Sequence, residues 1–172
     1  MRYLNAIVKI LTFPGGFLRG FWEQLFCKIY GIPVENRKYF QFNEMAGHVE
    51  HEPVSDPTKN FFYCLFAGLM VFLAGILFAI PAAINLMFLD VISETWRFIS
   101  IGFLYLAVSM FTNLFPSIED ALTMWEKYKS MDGVMKVIFA PGAAIMYVGA
   151  YAENTGATLL TNLALAAIVL FV

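Results

Sequence analysis

Residues 61–89 read FFYCLFAGLMVFLAGILFAIPAAINLMFL, 29 consecutive positions without a charged side chain. About 20 apolar residues are enough to carry a helix across the hydrocarbon core of a bilayer. This stretch therefore reads as a membrane helix, and the rest of the chain is read outward from it. Over all 172 residues, 60% are hydrophobic, 17% aromatic and only 14% charged. A soluble domain usually carries about 25% charged residues, so a water-soluble globule is excluded. The net charge of -2 shows no basic excess to attract nucleic acid. Cys27 and Cys64 both lie among apolar residues and read as buried thiols rather than as a disulfide framework.

Downstream, residues 98–114 form a second apolar run that stops at Asn113-Leu114-Phe115-Pro116, where proline ends or kinks a helix. Residues 137–172 would be about 54 Å long as one helix, too long for one crossing. Glu153-Asn154-Thr155-Gly156 breaks the run and divides it into spans 137–151 and 157–172. Lysine and arginine accumulate on the cytoplasmic side of membranes. Placing residues 1–60 and 117–136 on one side collects ten of the eleven basic residues there and leaves only Arg97 opposite. The expectation is a single membrane domain, residues 1–172, with four spans and both termini cytoplasmic. Lys9 interrupts the N-terminal apolar run and no small-residue cleavage pattern follows, so the leader-like start reads as retained.

Residues 1–31 read as two short helices around Pro14-Gly15-Gly16, either re-entrant or lying at the interface. The second is amphipathic. Residues 17, 18, 21, 22, 25, 26, 29 and 30 form its apolar face, with Arg19, Gly20, Glu23, Gln24 and Cys27 opposite. Residues 38–55 (KYFQFNEMAGHVEHEPVS) read as a small cytoplasmic β-hairpin. The fold class is thus all-α and polytopic, with a helical pair and a hairpin appended to about four spans.

Several short motifs recur in order along this frame: Thr12-Phe13-Pro14-Gly15, Phe26-Cys27-Lys28 with Gly31, Gly47-His48-Val49-Glu50-His51-Glu52-Pro53, and Phe115-Pro116-Ser117-Ile118-Glu119-Asp120-Ala121 with Trp125. In order and spacing the chain resembles a branch of small bacterial membrane proteins of the site-2-protease-like zinc metalloprotease family. The resemblance implies a first membrane helix bearing HExxH, a following β-hairpin, and a later proline-containing motif whose Asp, here Asp120, completes a zinc site. It also implies the bacterial inner membrane.

At the metal the sequence departs from that family. Aligned without gaps between Pro14-Gly15 and Phe26-Cys27, the HExxH positions are Arg19, Gly20, Phe21, Trp22 and Glu23. A shift of one turn matches Glu23 to the catalytic glutamate but still supplies no histidine. A catalytic zinc normally takes three protein ligands. The resemblance therefore implies the scaffold and argues against its usual reaction.

Two arrangements of the charges remain open at this level. Arg19 and Glu23, four apart on a helix, form with Asp120 a salt-bridged cluster where zinc would stand. Alternatively, the helix lies flat with Arg19, Glu23 and Lys28 in water and its aromatic face in lipid. His48 and His51 have metal-like spacing, but on a strand they point to opposite faces. With Asp120 they are the weak zinc candidates, and Glu23 is the candidate catalytic carboxylate. Asn85, Asn113 and Asn162 read as interhelical hydrogen-bonding residues, and Ser109 has no base beside it. Lys127 and Lys129 near Trp125 read as a helix end at the membrane interface.

The role expected from these features is non-catalytic and needs no cofactor: binding or positioning another membrane polypeptide within the lipid bilayer. The alternatives are an active metal-dependent intramembrane peptidase with ligands drawn from Glu23, His48, His51 and Asp120, or a structural subunit of a membrane complex. A transporter is least favoured, since no paired repeat or series of embedded charges is present.

Overall fold

The computed structural model describes residues 2–36, 48–88 and 93–171. Among these described residues, seven helices and a two-stranded ribbon follow one another as α1 (Arg2–Leu11), α2 (Phe13–Tyr30), β1 (Val34–Asn36), β2 (Glu50–His51), α3 (Pro57–Phe88), α4 (Glu94–Thr112), α5 (Ile118–Lys129), α6 (Gly133–Asn154) and α7 (Ala157–Phe171). Three of them, α3, α4 and α6, are long and apolar enough to cross a membrane. The expected fourth span is the 15-residue helix α7, about 22 Å at the usual rise and short of a typical hydrocarbon core. The break before it falls where the sequence places it. Helix α6 ends at Asn154, and Gly156 turns the chain at φ 78°, a conformation that favours glycine.

Helix α3 is the spine. It packs along α4, α2 and α5, and glycines set the closest approaches. A Cβ on Gly68 would lie 2.5 Å from the Leu114 carbonyl oxygen, and one on Gly75 would enter the Phe111 ring at 2.6 Å. Aromatic packing fills the space between the first turns of α3 and α6, where Phe61 stacks on Phe139 with centroids 4.2 Å apart. Cys27 and Cys64 are free, buried thiols. The stretch Ile118–Lys129, within residues 117–136 that the basic residues place on one side, is helical. Ser117 caps α5 by accepting from the Asp120 amide at 3.1 Å and donating its hydroxyl to Asp120 Oδ2 at 2.9 Å.

The ribbon is antiparallel, with Val34 opposite His51 and Asn36 opposite Glu50 across an irregularity. Its first strand begins at Val34, before the expected start at residue 38. Residues 38–47 of the expected hairpin lie outside the described residues.

Helix α2 inverts the usual amphipathic arrangement. Arg19 and Glu23 are 0% exposed, whereas Phe13, Phe17 and Phe21 are about half exposed (51%, 53% and 45%). The reading in which Arg19 and Glu23 face water is therefore overturned; Lys28, at the helix end, remains exposed. The physical reason is the solvent: hydrocarbon accepts an aromatic face, while charged side chains must be satisfied inside the protein. Phe26 departs from the expected apolar face and joins the core with Phe66, at a centroid distance of 5.8 Å.

Candidate functional site: a buried charge network

One glycine and a serine bring α2 to the end of α4. Gly15 N donates to Ser109 Oγ at 2.8 Å, and Ser109 Oγ donates to the Thr12 carbonyl at 2.9 Å. Asn113, at the C-terminus of α4, adds bonds from its Nδ2 to Thr12 Oγ1 (2.9 Å) and to the Ser109 carbonyl (2.8 Å). The sequence reading of Asn113 as an interhelical bonding residue is visible in this clasp. A Cβ on Gly15 would overlap the Ser109 peptide group, 2.5 Å from its carbonyl carbon.

One turn further along α2, Arg19 Nε donates to Glu23 Oε1 at 2.6 Å. Arg19 Nη1 donates to the Leu114 carbonyl, at the kink the proline sequence introduces after α4. Gly68 leaves the room for that guanidinium: a Cβ there would stand 3.0 Å from Nη1. Glu23 is engaged on both oxygens. His48 Nδ1 lies 3.0 Å from Oε1, and the Val49 amide donates to Oε2 at 3.0 Å. The start of the returning strand thus seals the carboxylate from above, with His48 4% and Val49 2% exposed.

The network continues through residues that sequence reasoning did not assign to it. Lys9 Nζ pairs with Glu153 Oε1 at 2.6 Å and donates to Asn113 Oδ1 at 3.0 Å. Glu153 Oε2 accepts from the Phe115 amide at 3.0 Å, and Glu153 Oε1 lies 4.0 Å from His48 Nε2. Lys9, Glu153, His48, Glu23 and Arg19 therefore form one buried chain that joins α1, α2, the ribbon, the α4–α5 link and α6. Lys9 and Arg19 balance Glu23 and Glu153 in charge, the condition for keeping ionised groups in a low-dielectric interior. The signal in the sequence was a charge standing alone in an apolar stretch. Lys9 had been read only as an interruption and Glu153 only as a helix break.

Asp120 does not join Arg19 and Glu23. Besides the cap to Ser117, its Oδ1 lies 3.1 Å from His51 Nε2, so α5 is tied to β2. His48, just before β2, and His51, within it, divide between two clusters. Among the described residues no group of three or more His, Cys, Asp and Glu side chains is placed to hold a metal ion. Burial alone would lower the His51 pKa. The Asp120 carboxylate outweighs it, the Glu52 carbonyl on Nδ1 at 2.8 Å adds to the effect, and the imidazole is pushed up to about 9.

A pH prediction follows from this pair. The unperturbed value is 6.5, so the raised pKa gives stability that is complete below pH 6.5 and is lost as pH rises through about 9. A displacement of that size corresponds to at most about 3 kcal/mol. Thermal unfolding in detergent at pH 7 and pH 10 is expected to show that step in the native chain and not in Asp120→Asn. Equal steps in both would assign it elsewhere.

Fold and site together define a helical membrane-domain protein whose interior charges are paired with one another. Comparison with protein-family models, curated proteins and solved structures finds no match to this chain.

Proposed function

We propose that this chain is a non-catalytic, site-2-protease-like protein of the bacterial inner membrane, with cytoplasmic termini, that binds or positions another membrane polypeptide. The observation that carries the reading is the state of Glu23. A general base needs a free lone pair directed at water, and a metal ligand needs one directed at the ion. Here Arg19, His48 and the Val49 amide occupy both carboxylate oxygens. Asp120, the other carboxylate the resemblance brings to a zinc site, is turned to Ser117 and His51. The Arg19 guanidinium stands beside Glu23 where a cation is wanted, so the scaffold is held closed without zinc.

A closed scaffold with a large apolar exterior suits holding rather than cutting. Cross-linking in intact membranes, from photoreactive residues placed at exposed Phe21 and Leu160 and at half-buried Glu50, is expected to capture one membrane polypeptide at full length. Recovery of no polypeptide would refute the binding role. Recovery of a shortened product that disappears in Asp120→Ala would reinstate the peptidase reading, with zinc held by an atypical ligand set. Co-purification of the captured chain in fixed stoichiometry would make this protein a structural subunit of a complex.

A further inference from the structure

At the C-terminal end of α2 the chain turns back and leaves a groove. Gly31 takes a left-handed conformation at φ 68°. The Ile32 amide donates to the Cys27 carbonyl at 2.8 Å, and the Gly31 amide donates to the Lys28 carbonyl at 3.4 Å. Between the helix and the returning chain opens a groove of about 420 Å3. Phe21, Gln24, Leu25 and Lys28 line it from α2, and Ile32 and Val34 line it from the other side.

The lining has two chemically different parts. One is apolar and open to the outside, since spacings of four and eight residues put Phe17, Phe21 and Leu25 on one face of α2. Phe17 and Phe21 are about half exposed, so this wall continues the aromatic face that α2 presents to hydrocarbon. The other part is polar. Lys28, exposed at the helix end, is the one ionised side chain among the described lining residues. Among the described residues it has no ion-pair partner, and the Gln24 amide beside it has no hydrogen-bond partner. The carbonyls of Cys27 and Lys28 are already bonded to the amides of the turn, so the ammonium is not taken up in capping the helix.

We infer that this groove binds an anionic phospholipid, whose phosphate meets Lys28 and Gln24 while an acyl chain lies along Leu25, Phe21 and Phe17. Charge complementarity and continuity with the lipid-facing side of α2 select that occupant. The dimensions agree. From Lys28 to Phe17 is about 16 Å along the helix, and one leaflet of hydrocarbon is about 15 Å deep, half of a core of about 30 Å. Free inorganic phosphate would meet Lys28 but leave the apolar wall without a partner. A zwitterionic lipid carries its own ammonium, which offsets the pull of Lys28 on the phosphate. A helix of another polypeptide would need a carboxylate at the lipid interface on the side where Lys and Arg accumulate. The inference rests on the proposed cytoplasmic orientation only for the source of the lipid, since the cytoplasmic leaflet is the one with anionic headgroups.

The test uses the full chain in phosphatidylcholine nanodiscs doped, in both leaflets, with a phosphatidylglycerol probe that carries a diazirine in its acyl chain. After photolysis, peptide mass spectrometry is expected to place the adduct within residues 17–34. A phosphatidylcholine probe of the same chain is expected to label that segment about fivefold less, the effect of one lysine at a membrane surface. The phosphatidylglycerol probe is expected to show the same loss on Lys28→Gln and none on Lys28→Arg, which keeps the charge. Leu25→Trp, which fills the apolar part and spares Lys28, is expected to lose the adduct. Equal labelling by the two probes, undiminished labelling of Lys28→Gln or Leu25→Trp, or loss in Lys28→Arg would overturn the inference. So would displacement of the probe by inorganic phosphate, which would assign Lys28 to a free anion. Selective labelling with no polypeptide captured in intact membranes would leave the groove standing and remove the proposed function. Capture of a polypeptide without lipid selectivity would do the reverse.

Discussion

Replacing Glu23 with alanine is expected to cost about 3–5 kcal/mol of stability, the usual effect of removing one member of a buried ion pair. The magnitude comes from what is left behind. The Arg19 guanidinium, fully buried beside Gly68, loses its counter-charge, while His48 and the Val49 amide lose their acceptor. Much of the penalty is the desolvation of those orphaned groups rather than the worth of the pair itself. The double variant Arg19→Met, Glu23→Met is therefore expected to recover the part of the loss that comes from the unpaired guanidinium, while His48 and the Val49 amide stay without their acceptor. Thermal unfolding of both variants in the same detergent measures the difference. If the double variant is as unstable as the single one, the network contributes through geometry rather than charge pairing, and the account given for α2 fails.

The second large effect is at Gly15. A methyl group at this position collides with the Ser109 peptide group rather than with the end of a flexible side chain. Relief requires α2 and α4 to move apart, which stretches the Gly15–Ser109 and Asn113–Thr12 bonds together. Overpacking typically costs 1–3 kcal/mol, more when backbone must shift. Gly15→Ala is expected to cost about 3 kcal/mol and Gly15→Val to prevent accumulation of folded protein in the membrane. Gly102 provides the internal control, because nothing lies within 4 Å of a Cβ built there. Gly102→Ala is expected to be neutral or slightly stabilising, as removal of a helix-interior glycine should be. A similar loss at both positions would show a general intolerance of substitution and not a helix contact.

Much of the membrane architecture was legible from charge spacing. The 29 uncharged positions of residues 61–89 lie almost wholly in the longest helix, and Glu153 to Gly156 marked the division of α6 from α7. The bounds of α7 agree with the expected short span 157–172. Among the described residues three helices are long and apolar enough to cross a membrane, and α7, with 15 residues, is shorter. The partnership of Arg19 with Glu23 was also readable, because spacing by four on a helix fixes adjacency. Their burial was not. The helical wheel separates a polar from an apolar face, but its inward direction depends on whether water or lipid lies outside.

Lys9 and Glu153, 144 residues apart, illustrate what lay beyond local reading. No periodicity relates them, and their pairing exists only because Gly15 lets α2 lie against α4 while Gly149 leaves room for Phe115, whose ring a Cβ would overlap. Asp120 is the converse case. Its motif suggested a place beside Arg19 and Glu23, yet the cap it forms with Ser117 holds it at the helix start, where His51 meets it. By itself the sequence determined that the chain belongs in a membrane, where its helices break and which charges stand in apolar company, because composition and spacing are local properties. Only the tertiary structure decided which charges meet, because pairing between distant segments depends on the close approaches that glycines permit and on the low dielectric that leaves no buried ion alone.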